Sequence, residues 1–201
     1  MNISKKYTIG IILGIVVGIL TVIGQKYLSI EFNFLANSGA IWLIPAFLTS
    51  YYSKLNKGHS AAVCIICLLC CVYGYYGFEA VINRHSFTIG LYTIIWTVCA
   101  FGGGLIFGLG AYFANKSSGF SKYCGLNLLP SVFLAEGINK IIHISGYMHM
   151  IPAVIMVTVI GVLIYFMINK KHAFEKWNLL SLLLITALGL LGYEILFRIT
   201  I

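Results

Sequence analysis

Long uncharged stretches alternate with short clusters of charge along this chain. The apolar stretches are too continuous for amphipathic helices lying on a soluble core, and too long for strands. Bounded by the charges, they predict seven helical segments, at 7–28, 38–54, 59–82, 87–115, 121–143, 150–169 and 177–198. A helix needs about 20 apolar residues to cross a bilayer's hydrocarbon core, with a range of about 17–25. The second segment is the shortest, and a six-span reading omits it. The fourth is long enough that it should tilt or break. The first follows Lys5 and Lys6 like the start of a signal peptide. Its apolar run is too long for one and no small-residue cleavage site follows, so an uncleaved span is expected. The fold class expected is all-α, a polytopic transmembrane helical bundle forming a single domain over residues 1–201.

Composition sharpens this. Charged residues make up 9% of 201 residues, hydrophobic ones 60%, and the mean hydropathy is +0.97. A soluble domain carries about 25% charged residues. The formal net charge of +8 does not signal nucleic acid, because the basic residues lie between apolar runs and form no basic face. They read instead as positive-inside bias. With a cytoplasmic N-terminus and seven spans, the inner side holds Lys5, Lys6, Lys54, Lys57, Lys116, Lys122, Lys170, Lys171 and Lys176. The outer side holds Lys26, Arg84, Lys140 and Arg198. The six-span alternative gives a weaker asymmetry of eight against five. Four of the five glutamates fall outside and only Glu175 inside, so the net charge sits on the inner face, opposite anionic lipid headgroups. Tyr27, Trp42, Tyr75, Tyr76, Tyr147 and Tyr193 fall near the outer boundary, where amphipathic rings are favoured.

A weak internal repeat is visible. The pair Gly18 and Gly24 matches Gly104 and Gly110, and Pro45 in "IPAFL" matches Pro130 in "LPSVFL". Segments 1–3 would then recur inverted as segments 4–6, with the seventh added, a plan found in many transporters. Pro45 and Pro130 each remove a helix hydrogen bond at membrane depth, which produces either a packed kink or a broken helix lining a path.

The candidate chemistry lies at the outer ends of the outward-running segments. Gln25 and Lys26 end the first, Glu79 with Arg84 beyond it ends the third, Glu136 and Lys140 lie on the fifth, and Glu194 and Arg198 on the seventh. In the last two, Glu precedes the base by four residues, which puts both on one helical face. Glu136 lies fourteen residues beyond Lys122, about 21 Å along the helix, and so about 10 Å below the outer boundary. A carboxylate at that depth should face the bundle interior, a partner or water. The expected site is an outward-facing polar cavity, with Glu136 at its floor and Glu79 and Glu194 on its walls. Lys140, Arg84 and Arg198 would line the rim, and Gln25, Asn33 and Asn37 would help line the mouth. The competing reading has each pair lock helix ends together. Asn37 or Ser38 can cap the second helix.

His143 and His149 with Glu136 match no standard metal-ligand spacing, and Cys64, Cys67, Cys70 and Cys71 read as small packing residues on one helical face. No metal, cofactor or disulfide is expected. Gly10, Gly14 and Gly18, and separately Gly104 and Gly108, form small-residue stripes suited to close helix packing or to docking a partner subunit.

The segments "FLANSGAIW" (Phe34 to Trp42), "FGGGLIFGLG" (Phe101 to Gly110) and "FLAEG" (Phe133 to Gly137) together resemble a family of small bacterial multi-pass membrane proteins of unknown function. The resemblance implies a bacterial inner-membrane location and transfers no activity. It places Asn37, Ser38, Trp42 and Glu136 within family-like motifs. The chain is also similar in size to the substrate-capture subunits of vitamin transporters, a likeness at the level of fold.

The function expected is that of a transporter or solute-capture membrane subunit with a site around Glu136. The alternative is a non-catalytic assembly subunit, and an intramembrane enzyme ranks third for want of a catalytic motif. The partners expected are membrane lipids, a small polar solute and, on the alternative reading, a partner membrane subunit, with no nucleic acid.

Overall fold

The computed structural model describes residues 2–146 and 148–200, so the expectation for Tyr147 lies outside the described residues. Among the described residues the regular secondary structure is all helical, with no strand. Eight α-helices follow in order: α1 Ile3–Tyr27, α2 Asn33–Asn37, α3 Gly39–Ser53, α4 Lys57–Ile82, α5 Leu91–Lys116, α6 Gly119–Ile142, α7 Ile151–Asn169 and α8 Lys176–Thr200. Five of them, α1, α4, α5, α7 and α8, are long and apolar enough to cross a membrane.

The two predicted segments outside that set differ from it for separate reasons. The helix α6 has the length but carries Asn127, Ser131, Glu136, Asn139 and Lys140. It can be polar because it is internal: it packs on α3, α5, α7 and α8, and its buried face runs from Gly125 to Asn139. Its polar groups meet protein instead of lipid. The helix α3 has fifteen residues, about 22 Å, against a hydrocarbon core of about 30 Å. Lys54 stops it in a left-handed conformation at φ 48°.

Hydrogen bonds fix how deep α3 sits. At its C-terminal end, Lys6 Nζ donates to the Ser53 carbonyl at 2.6 Å and Asn115 Nδ2 donates to the Tyr51 carbonyl at 2.7 Å. These join the start of α1 and the end of α5. The tie between Tyr7 Oη and His59 Nδ1 at 2.8 Å adds the start of α4 to the same end. The other end of α3 stops short. Its first residues lie inside the bundle, at the level of Thr21 and Glu136, and the short helix α2 caps the gap above them.

Close approach builds the first half of the bundle. The α1 glycine stripe packs on α4, where a Cβ at Gly14 would lie 2.7 Å from Cys70 Cβ and one at Gly18 would lie 2.6 Å from the Tyr75 nitrogen. The second stripe packs α5 on the other side of α4, with Gly104 and Gly108 each leaving 2.5 Å to the backbones of Ile65 and Ala61. Both stripes are therefore used within the chain. Cys64, Cys67 and Cys71 are buried in this three-helix layer, and all six cysteines are free. The core continues through Phe47, Val72, Leu129, Phe133 and Val157.

One expectation is narrowed and another corrected. The long fourth segment does not break. Residues 87–90 precede the helix, and α5 runs unbroken through Gly102, Gly103 and Gly104. The inverted repeat is not reproduced in the packing. The first unit joins α1 extensively to α4, whereas the matching α5 packs on α4 and α6.

A buried polar knot, absent from the expected site, joins α6, α7 and α8 near the end where α6 begins. Asn127 Nδ2 donates to Asn178 Oδ1 at 2.7 Å and Ser181 Oγ at 2.6 Å, and Asn169 Nδ2 donates to Asn127 Oδ1 at 3.0 Å. Just outside it, His172 Nδ1 meets Glu175 Oε1 at 2.5 Å and the Tyr123 hydroxyl donates to the other oxygen. The His172 and Tyr123 hydrogen bonds hold the Glu175 carboxyl below its ordinary value of 4.5. A lowered folded pKa means the contact stabilises above about 4.5 and is lost as pH falls through that lower value. The α7–α8 linker is therefore expected to loosen on acidification below the carboxyl's ordinary titration range, seen as faster proteolysis there, and Glu175→Gln should remove that acid step.

Candidate functional site

The site is organised by how α3 begins. A helix start leaves its first N–H groups without partners, and in an apolar environment these must be satisfied. Ser38 occupies the N-cap position, but its side chain makes no capping bond to the helix. Instead Ser38 Oγ donates to Glu136 Oε2 at 2.5 Å, and the backbone N–H groups of Gly39 and Ala40 also point at that carboxylate. Glu136 thus caps α3 from a different helix, 98 residues away in sequence. The carboxyl group faces the positive end of the α3 dipole. Ser38 is 1% exposed and Glu136 3% exposed. The Tyr193 phenol on α8 and the Lys140 ammonium one turn along α6 also act on the carboxylate. The Lys140 Nζ lies 5.4 Å from the centre of the Phe34 ring on α2.

Beside this cap is a cavity of about 130 Å³. Thr21 and Gln25 of α1, Ala36 and Asn37 of α2, Ser38, Gly39 and Trp42 at the start of α3, Tyr75 and Tyr76 of α4, and Trp96 of α5 line it. The cavity reaches Ser38 and stops there, one hydrogen bond from Glu136. Its walls are held by a chain of polar contacts. Tyr75 Oη donates to Gln25 Oε1 at 2.8 Å, Gln25 Nε2 donates to Asn37 Oδ1 at 2.6 Å, and Asn37 Nδ2 donates to Asn33 Oδ1 at 2.6 Å. On the other side Trp42 Nε1 donates to Thr21 Oγ1 at 2.9 Å.

Of the residues expected at one site, the structure brings together Glu136, Gln25, Asn33 and Asn37, and adds Ser38, expected only as a helix cap. Lys140 stays with Glu136, behind the cavity wall instead of at a rim. Glu79 and Glu194 do not join them. Glu79 accepts from Asn83 Nδ2 at 2.5 Å and meets His85 Nε2 at 3.5 Å, beside a second, shallower cavity of about 200 Å³. Arg84 takes a left-handed turn at φ 55° just past α4, and the glutamate's partners are its neighbours Asn83 and His85. The Ser86 carbonyl, with Glu79 after it, pushes the His85 pKa up from its ordinary value. Glu194 pairs with Arg198 at 3.0 Å, in the order the spacing predicts, and also with His143 at 3.0 Å. These two acids are held by contacts at their own helix ends because each has a base or amide within reach on or next to its own helix. Among the described residues, no three His, Cys, Asp or Glu side chains come together as a metal site.

Sequence reasoning missed Thr21 and Trp96, and assigned Trp42, Tyr75 and Tyr76 to the lipid boundary. The signal available was the density of aromatic residues at one level of several helices, which a boundary belt and a cavity wall produce alike.

A family model described as a family of unknown function, DUF6518, matches residues 2–199. The chain belongs to that family. No curated protein and no solved structure matches it.

Proposed function

We propose that this chain is a multi-pass protein of a bacterial inner membrane that captures a small polar solute at the outer face, as a transporter or a solute-binding membrane subunit, without catalysing a reaction. In this reading the N-terminus is cytoplasmic. Seven segments enter the bilayer, and α3 starts part-way down instead of at the surface. The observation that carries it is the cavity walled by Gln25, Asn37, Ser38 and four aromatic rings at the end of the bundle where α1 and α4 finish and α5 begins. The positive-inside asymmetry assigns that end to the outside. The buried cap at Glu136 supplies a fixed floor, so the site is formed before a ligand arrives, as small-molecule sites usually are. Glycine stripes that would have favoured a partner subunit are filled by α4.

Asn37 is exposed at the mouth and provides the test. In intact cells, Asn37→Cys should be modified by a membrane-impermeant maleimide added outside, and a captured solute from a panel of amines, amino acids, polyols and vitamins should slow that modification at least tenfold. Labelling only in inverted vesicles, or no protection by any solute, contradicts the proposal.

A further inference from the structure

The cavity's lining narrows the class of solute. Four half-buried rings, Trp42, Tyr75, Tyr76 and Trp96, surround about 130 Å³. Neighbouring rings do not stack. Trp42 meets Tyr75 at 50° and Trp96 at 53°, and Tyr75 meets Tyr76 at 89°, with centroids 4.9–6.0 Å apart. Rings inclined in this way are arranged as the walls of a box. No Lys, Arg, Asp or Glu lines the space. Most of the polar groups that do are already engaged: Gln25 Oε1 with Tyr75, Gln25 Nε2 with Asn37, Thr21 with Trp42, and Ser38 with Glu136. A sugar or an amino acid would need those directional bonds broken. An anion would meet the negative faces of the rings.

We propose that the cavity binds the head of a small organic cation of the quaternary ammonium type, held by cation–π contact with the four rings. This rests on the capture reading above and specifies its solute. A quaternary ammonium donates no hydrogen bond, so the satisfied lining costs it nothing, and ring faces attract it most where water is excluded. The volume suits such a head and is well below the ~300–1,000 Å³ of sites for larger ligands. Electrostatics agree. Glu79 lies three and four residues beyond Tyr76 and Tyr75 on the same face of α4, and Tyr76 is shared with the cavity that contains Glu79. A carboxylate therefore lies about one helical turn from the box. The bases nearby are engaged away from the box, with His85 on Glu79 and Lys140 on the Glu136 side. The ammonium could belong to a free solute or to a choline lipid.

The test is equilibrium binding of labelled tetramethylammonium to the full chain in nanodiscs of phosphatidylethanolamine and phosphatidylglycerol. Saturable binding is expected. Choline should displace the label at least tenfold better than its uncharged isostere, in which carbon replaces nitrogen. Trp96→Leu should weaken binding about tenfold, while Trp96→Phe, which keeps an aromatic face and controls for folding, should stay within about threefold. Discs containing phosphatidylcholine separate the sources: blocked binding assigns the site to the lipid headgroup, and unchanged binding assigns it to a free solute. Equal displacement by the uncharged isostere, a Trp96→Leu variant that binds like the parent, or no saturable binding in choline-free discs would each overturn the cation proposal. Solute protection of Asn37→Cys by some other class would then still uphold the capture reading.

Discussion

Glu136→Ala is expected to destabilise the folded chain by about 3 kcal/mol. The substitution leaves the Ser38 hydroxyl and the Gly39 and Ala40 N–H groups facing an apolar gap, and each unsatisfied buried group costs about 1–3 kcal/mol. Part of that is offset because a buried carboxylate is itself expensive. Glu136→Gln keeps an acceptor oxygen for the backbone N–H groups and should cost about 1 kcal/mol. Glu194→Gln breaks only partly exposed contacts, to Arg198 and His143, and should cost under about 1 kcal/mol. A thiol-reactive dye reads these differences in detergent, because Cys64, Cys67 and Cys71 are buried until the helices separate. An alanine variant melting with the parent would show that α3 does not depend on its distant cap.

Gly18→Val is expected to be at least as damaging, at about 3 kcal/mol or more. Its first side-chain carbon would lie 2.6 Å from the Tyr75 nitrogen, a backbone atom that cannot move aside alone. Relief requires α1 and α4 to part, which overpacking penalises at about 1–3 kcal/mol and sometimes beyond. The same separation would pull Gln25 from Tyr75 and distort the cavity, so ligand binding should fall with stability. Two other glycines calibrate the effect. Gly10→Ala meets Val63 at 3.6 Å, an ordinary contact, and should change stability by less than about 1 kcal/mol. Gly102→Ala meets nothing within 4 Å and should be neutral or stabilising by up to about 1 kcal/mol, since alanine favours helix. Chemical denaturation of the three variants side by side checks the order.

How much of this was legible in the sequence depends on the range of the interaction. The seven helical segments follow from local apolar runs, and the structure has a helix in each. The inward placement of Glu136 follows from depth alone, because a carboxylate fourteen residues past Lys122 has no stable place in lipid. The Glu194–Arg198 pair follows from four-residue spacing. Glycine stripes could be read as contact faces, but not which helix they contact. The link from Ser38 to Glu136 is a tertiary contact between helices that no local pattern encodes, and it reassigns Glu136 from the floor of a cavity to the cap behind it. The convergence expected of Glu79 and Glu194 failed for the complementary reason: Asn83, His85, His143 and Arg198 offer each a closer partner than the centre of the bundle does. The aromatic box was hidden because rings at helix ends look the same in sequence whether they face headgroups or one another.

Ser38 and Glu136 are expected to act as one unit at the buried start of α3. A double-mutant cycle of Ser38→Ala and Glu136→Ala, read by unfolding in one lipid or detergent, measures this directly. A coupling energy of about 1–2 kcal/mol is predicted, with both single variants and the double variant weakening ligand binding at the cavity to a similar degree. Stability losses that simply add, to within about 0.5 kcal/mol, would contradict the account and leave the carboxylate without a role in holding that helix in place.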